Sequence, residues 1–322
     1  MKDLFARLLA AATLAAALLA GLASVAQAQA PGPVLQQVVI SGHRQRFDNP
    51  KAAAVVRYIL IDPGNADPVR DGFAPLERKA VLVLYIGGDG TLNLGNGQTN
   101  TGSPNTLARN RYHFAAHGFV VAVVDAANDF NALPNGLIGH RLPESPLGDR
   151  YLKDLQAVMA SLRARYPGLP IWGVGHSRGT VSAAVTAVAV TPPADGLVLA
   201  SSVTGPDPAS EELSRVALET IAAPVLIASH RDDQCPNTRP EDSKALQERF
   251  TASPLVHFSQ FEGGSAPLSD PCNALAPHGF FGIDQKVVDA VAKRIARAVS
   301  GTGEQEADHR RDREADRAGR PF

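Results

Sequence analysis

Residues 169–180, LPIWGVGHSRGT, constrain this chain more than any other stretch. An apolar run that reads as a buried strand ends in Gly175-His176-Ser177-Arg178-Gly179 and passes into 180–185, whose small residues read as a helix. The two glycines flank Ser177 where a Cβ would crowd a sharp strand-to-helix turn. A serine hydroxyl is a poor nucleophile, so chemistry on it needs the oxygen exposed on such a turn with a base in reach. The five-residue pattern alone is a weak signal. The strand before it and the helix after it give it weight.

Two partners for such a serine lie downstream, in a meaningful order. Residues 224–229 form another short apolar run, which ends in His230-Arg231-Asp232-Asp233-Gln234-Cys235. An acid just past a strand's carboxyl end can meet a histidine from a neighbouring loop, and Asp232 and Asp233 are both candidates. Further on, Pro277-His278-Gly279-Phe280 precedes a segment with Val287, Val288, Val291 and Ile295 at helical spacing. Serine, acid, histidine is a different order from that of chymotrypsin-like or subtilisin-like chains. Upstream, residues 80–86 read as a strand running into Gly87-Gly88-Asp89-Gly90. Such a loop can point backbone N–H groups into a cavity with no side chains in the way. It lacks the glycine spacing of a dinucleotide fingerprint, and no phosphate-binding motif occurs elsewhere.

Together these segments resemble the α/β-hydrolase family, in its broad esterase, lipase and dienelactone-hydrolase group. The resemblance runs from residue 34 to residue 300. It implies an α/β fold, a mostly parallel sheet flanked by helices with a small cap or none. It implies Ser177 as nucleophile, His278 as base and Asp233 as the acid that orients it. Asp233 is preferred to Asp232 because the family sets its acid about four residues past the strand's last turn. His278 is preferred to His230 because the family's histidine precedes the final helix. The oxyanion donors implied are the N–H of Arg178 and one from the glycine loop, at Gly88 or Asp89, with Gly88 taken here. Tyr85-Ile86-Gly87-Gly88 departs from the His-Gly-Gly loop of many lipases. His176 is expected to pack sideways as a structural residue. The activity implied is that of a serine hydrolase cleaving carboxylic esters through an acyl-enzyme, with no cofactor and no metal. A peptidase or acyltransferase of the same fold is the alternative, and a non-catalytic binding protein of this fold is a more remote one.

At 322 residues and 44% hydrophobic content the chain can bury a full core. A net charge of −1 without a basic stripe points to no nucleic-acid partner, and the partner that the resemblance implies is a small-molecule ester. Oligomeric state is not legible. Lys2 and Arg7 precede an Ala/Leu-rich run over 8–19, and Ala26-Gln27-Ala28 supplies small residues for cleavage. Residues 1–28 therefore read as a secretory signal peptide, its apolar core short for a spanning helix, with no stable membrane anchor after cleavage. The mature protein is expected to be exported, periplasmic or secreted. In such an oxidising compartment the only two cysteines, Cys235 and Cys272, are expected to pair and to tie the acid loop to the histidine loop. They lack the further thiols or spaced histidines of a metal site.

The remaining segments alternate strand and helix through one domain over 29–300. Strands are expected at 34–40 and 55–61, as an antiparallel edge, and at 119–124, 196–200 and 255–261. Helices are expected at 106–117, 147–166 and 283–299. Any cap is one helix over 210–221. Residues 126–146, rich in Pro and Gly, form a candidate substrate-facing loop. Arg109 and Arg111 are read as solvated or as structural partners of carboxylates, with contact to an anionic substrate as the alternative. Residues 301–322 have mixed charge and little apolar content and read as a disordered tail.

Overall fold

Eight strands hydrogen-bond into one sheet in the order β1-β2-β4-β3-β5-β6-β7-β8. The computed structural model describes residues 35–301. The expected leader over 1–28 lies outside them, as does the expected tail apart from Gly301. The strands are β1 Leu35–Gln45, β2 Ala53–Ile61, β3 Ala80–Tyr85, β4 Phe119–Val124, β5 Ile171–His176, β6 Gly196–Ala200, β7 Val225–His230 and β8 Val256–Phe261. β1 pairs antiparallel with β2, and β2 antiparallel with β4. Every pairing from β4 through β3 to β8 is parallel. A parallel sheet must be covered on both faces, which is why its inner strands read as continuous apolar runs.

The helices are α1 Pro68–Asp71, α2 Thr106–Arg109, α3 Arg111–Ala116, α4 Gly148–Arg165, α5 Gly179–Val188, α6 Pro240–Ala245 and α7 Asp284–Ser300. The pleat of β3 divides its residues between two cores. Val81, Val83 and Tyr85 pack with Leu155, Val158 and Leu162 of α4 and Val181 and Val185 of α5. Leu82 and Leu84 pack on the other face with Phe114 of α3 and Val288, Val291 and Ile295 of α7. Truncating one of these buried leucines to alanine costs about 2–5 kcal/mol. Among the described residues no helix is long and apolar enough to cross a membrane.

Two expectations need correction. The single helix over 106–117 is broken at Asn110. Its side-chain amide turns back to the Thr106 carbonyl at 2.8 Å and reaches Asp284 Oδ1 at 2.6 Å. A side chain that bonds locally to the backbone competes with helix continuation. The cap helix over 210–221 does not form; that stretch holds only two single 3₁₀ turns, Leu213–Arg215 and Leu218–Thr220. Ser210 adopts φ 54°, and Leu213, Leu218 and Ile221 are buried one by one in the core rather than along a helical stripe. Conversely, α6, between β7 and β8, went unread.

Candidate active site

Strand β5 ends at His176, and the chain turns at Ser177 with φ 56° before α5 begins at Gly179. A left-handed backbone at a residue with a Cβ costs about 1–3 kcal/mol and persists only where its surroundings hold it. The surroundings here are tight. A Cβ on Gly175 would stand 2.3 Å from the Gly179 carbonyl oxygen, and one on Gly179 would stand 2.0 Å from that of Tyr85. Ser177 N–H donates to Ala200 O at 2.9 Å, and its own carbonyl accepts the N–H and hydroxyl of Thr180. Ser177 is half-buried at the carboxyl end of the sheet.

The acid and the histidine come from the two loops expected to carry them. Asp233 lies three residues past the end of β7, and His278 sits in a 3₁₀ turn, Pro277–Gly279, just before α7. Both are buried, and His278 Nδ1 lies 3.0 Å from Asp233 Oδ2. With a carboxylate facing Nδ1, the proton belongs on that nitrogen, which leaves Nε2 with a free lone pair. Asp233 is held in turn: its Oδ1 accepts the N–H of Cys235 at 2.9 Å. Its Oδ2 accepts the hydroxyl of Thr238 at 2.8 Å. Thr238 Oγ1 also stands 3.1 Å from His278 Nδ1. Sequence reading missed Thr238, and no local signal marks it; only the fold of the acid loop returns it to the carboxylate.

The histidine loop is clamped from beneath. The His278 carbonyl accepts His176 Nε2–H at 2.9 Å and the Ser201 hydroxyl at 2.8 Å. The rings of His176 and His278 lie 4.9 Å apart between centroids, so His278 stands against the residue that precedes Ser177. Burial, with the neighbouring His278 second, lowers the pKa of His176 to about 3, and the ring is neutral. Arg109 ties the same loop from the side. It donates to the carbonyls of Ala274 and Gly279 and pairs with Asp284 at the start of α7. Its guanidinium is thus a structural cross-link.

The rejected candidates are occupied elsewhere. His230 donates from Nε2 to Gly263 O at 2.9 Å and accepts the Asp232 N–H at Nδ1, so neither nitrogen is free. Asp232 is half-exposed and bonded to Arg231, which lowers its pKa. Cys235 and Cys272 form a disulfide and so join the acid loop to the segment leading to His278.

The glycine loop follows β3 and lies against the elbow. A Cβ on Gly87 would come within 2.8 Å of Ser177 Cβ and 2.9 Å of the His176 carbonyl oxygen, so glycine is required at 87 by close approach. Sequence reading pointed to Gly88 and overlooked this contact. Gly88 has φ 63°, and Gly90 N–H closes the turn onto Gly87 O at 3.2 Å. Among the described residues no acceptor takes the N–H of Gly88 or of Arg178. The Arg178 guanidinium is drawn aside to Asp207 at 2.6 Å. Among the described residues no group of three or more His, Cys, Asp or Glu side chains is arranged to hold a metal ion.

Comparison with known proteins agrees with this architecture. A family model described as serine aminopeptidase, S33, matches residues 108–260. The structure resembles a PEG-bound cold-adapted esterase from an Arctic intertidal metagenomic library, at 15% identity and TM-score 0.51, over 81% of this chain and 94% of that one. It also resembles the acylaminoacyl peptidase of Pyrococcus horikoshii, at 11% identity and TM-score 0.51, over 83% of this chain and 42% of that one. A putative dipeptidyl aminopeptidase IV from Bacteroides ovatus is similar at 14% identity and TM-score 0.50, over 81% of this chain and 36% of that one. No curated protein sequence matches the chain.

Proposed function

We propose that the chain is an exported serine hydrolase of the α/β-hydrolase superfamily that cleaves carboxylic esters, a reading supported by the matching family model over residues 108–260 and by the fold. The observation that carries this reading is the buried Asp233–His278 hydrogen bond, beside an elbow that holds Ser177 at a positive φ. In this mechanism Ser177 Oγ attacks the ester carbonyl while His278 Nε2 takes its proton. Asp233 holds the imidazole in the required tautomer and stabilises the imidazolium. The oxyanion is received by the N–H groups of Arg178 and the glycine loop. His278 then protonates the leaving alcohol, and a water molecule repeats the cycle on the acyl-enzyme. Between β6 and β7 no helix closes over the site, which fits a small soluble ester better than a long lipid chain.

An aminopeptidase reading is favoured by the description of the matching family model. Such an enzyme needs a carboxylate for the substrate's α-ammonium. The buried carboxylates of Asp207 and Glu211 are already neutralised by Arg178 and Arg141. Half-buried Asp89, on the glycine loop, is a carboxylate with no arginine or lysine paired to it among the described residues. Export is supported by the form of residues 1–28 together with the disulfide.

The test is one panel: nitrophenyl esters of rising chain length beside aminoacyl amides, with fluorophosphonate labelling. Ser177→Ala should abolish labelling and turnover. Asp233→Ala should lower kcat by about four orders of magnitude, while Asp232→Ala stays within about a factor of two. Labelling that survives Ser177→Ala removes the nucleophile. Amide turnover that exceeds ester turnover and falls with Asp89→Asn replaces esterase by aminopeptidase.

A further inference from the structure

Arg141 has no exposed side-chain surface, and its side-chain hydrogen bonds run to partners far along the chain. Its Nη1 donates to Glu211 Oε2 at 2.9 Å, and its Nη2 donates to the Gly88 carbonyl at 2.8 Å. Glu211, equally buried, accepts the backbone N–H groups of His140 and Arg141 at Oε1, each at 2.8 Å. A buried ion pair of this kind adds little net stability over apolar residues of the same volume, because both ions lose their hydration. What it does supply is direction. In a trans peptide the C=O and N–H point opposite ways. Holding Gly88 O against Arg141 therefore turns the Asp89 N–H away from Arg141. The preceding peptide is set by the Gly90 N–H on Gly87 O, which turns the Gly88 N–H out of the turn. Leu137 N–H anchors the other side of the loop on Asp89 O at 2.8 Å. Among the described residues neither the Gly88 nor the Asp89 N–H has an acceptor.

We propose that the Arg141–Glu211 pair is the positioning device for the glycine-loop half of the oxyanion hole. It fixes the peptide that joins Gly88 to Asp89, and with it the Asp89 N–H and the course of the loop that carries the Gly88 N–H, and touches no substrate atom. The proposal rests on the serine-hydrolase reading above. Two variants test it. Arg141→Lys keeps Glu211 paired but lacks the forked donor that serves Glu211 and Gly88 together. The double variant Arg141→Met with Glu211→Gln removes both charges and keeps an amide oxygen for the two backbone N–H groups, so no unpaired ion is left inside.

Loss of one aimed oxyanion donor lowers kcat by about 10²-fold. The double variant should show that fall on a nitrophenyl ester, and Arg141→Lys a fall of about tenfold on the same grounds. KM should change by less than about threefold, since a contact made only in the transition state leaves ground-state binding alone. The acidic limb of the pH–rate profile should not move, and the rate of fluorophosphonate labelling should fall in parallel with kcat. A merely structural role would lower the melting temperature and leave kcat of the folded protein intact. A folded variant of either kind with wild-type kcat, or with its loss confined to KM, overturns the proposal alone. A wild type that neither labels nor hydrolyses the ester overturns the serine-hydrolase reading, and the proposal with it.

Discussion

His176 shows how one side chain beside the proposed nucleophile can hold the site without doing chemistry. Its Nε2–H is committed to the His278 carbonyl, and Asn105 Nδ2 stands 3.3 Å from Nδ1. A proton added to Nδ1 would displace that contact and place a charge in a site from which water is excluded. Burial therefore lowers its pKa from 6.5 to about 3, with the nearby His278 contributing in the same direction. The sign for stability follows. Above pH 6.5 the ring is neutral folded or unfolded; as pH falls from 6.5 to 3 only the unfolded chain takes up the proton, so stability drops across that window. We expect the melting temperature of His176→Gln to fall less steeply with acid between those values, since an amide can still donate to the carbonyl. Equal slopes for the two proteins would show that His176 is not the group responsible.

At the scale of elements, the site is built where three parallel strands end. The elbow after β5 carries Ser177, the loop after β7 carries Asp233, and the loop after β3 brings Gly87 against the serine. The fit between the β3 loop and the elbow leaves no room for a methyl group. Gly87→Ala would press its Cβ on both Ser177 and the His176 carbonyl, so either the loop or the elbow must shift. A displacement of about 1 Å in a reacting group can cost roughly 10²-fold. We expect kcat of Gly87→Ala to fall by at least about tenfold, with the protein still folded by circular dichroism. Unchanged kcat would mean that the loop has slack that these contacts do not reveal. Gly87 stands out in the sequence only as one of three glycines in four residues; its contact with Ser177 needs β3 and β5 to be neighbours.

For the molecule as a whole, the Cys235–Cys272 bond ties together a segment of sequence separation 37 that contains α6 and β8. Closing a loop of that length in the unfolded chain stabilises the fold by about 4 kcal/mol in the chain-entropy model. Reduction should lower the melting temperature by roughly 10 °C for a domain of this size. It should also lower turnover at temperatures where the fold persists, because Cys235 N–H is one of the three donors on the Asp233 carboxylate. Peptide mapping without reductant gives the direct check. Two free thiols in protein recovered from an oxidising compartment would remove this support from the acid loop.

Local chemistry made much of this protein readable. β3, β4, β5, β6 and β7 were legible as apolar runs because both faces of a parallel sheet are buried, and the elbow was legible because only glycine fits beside Ser177. The order of Ser177, Asp233 and His278 could be read because each follows or precedes a recognisable element. Local pattern failed where a distant partner decides the outcome. Asn110 breaks a helix by reaching Asp284, and residues 210–221 forgo a helix to bury Leu213 and Leu218 singly and to set Glu211 against Arg141. Arg109 on the histidine loop and Arg141 on the Gly88 carbonyl are likewise long-range hydrogen bonds, satisfied only once the sheet has brought its strand ends together, whereas Thr238 meets Asp233 within the acid loop itself. Sequence by itself determines which residues can be buried and which can turn, because those are properties of the side chain. Which polar groups meet is decided by tertiary structure, because a buried donor must find its acceptor wherever the fold has put one.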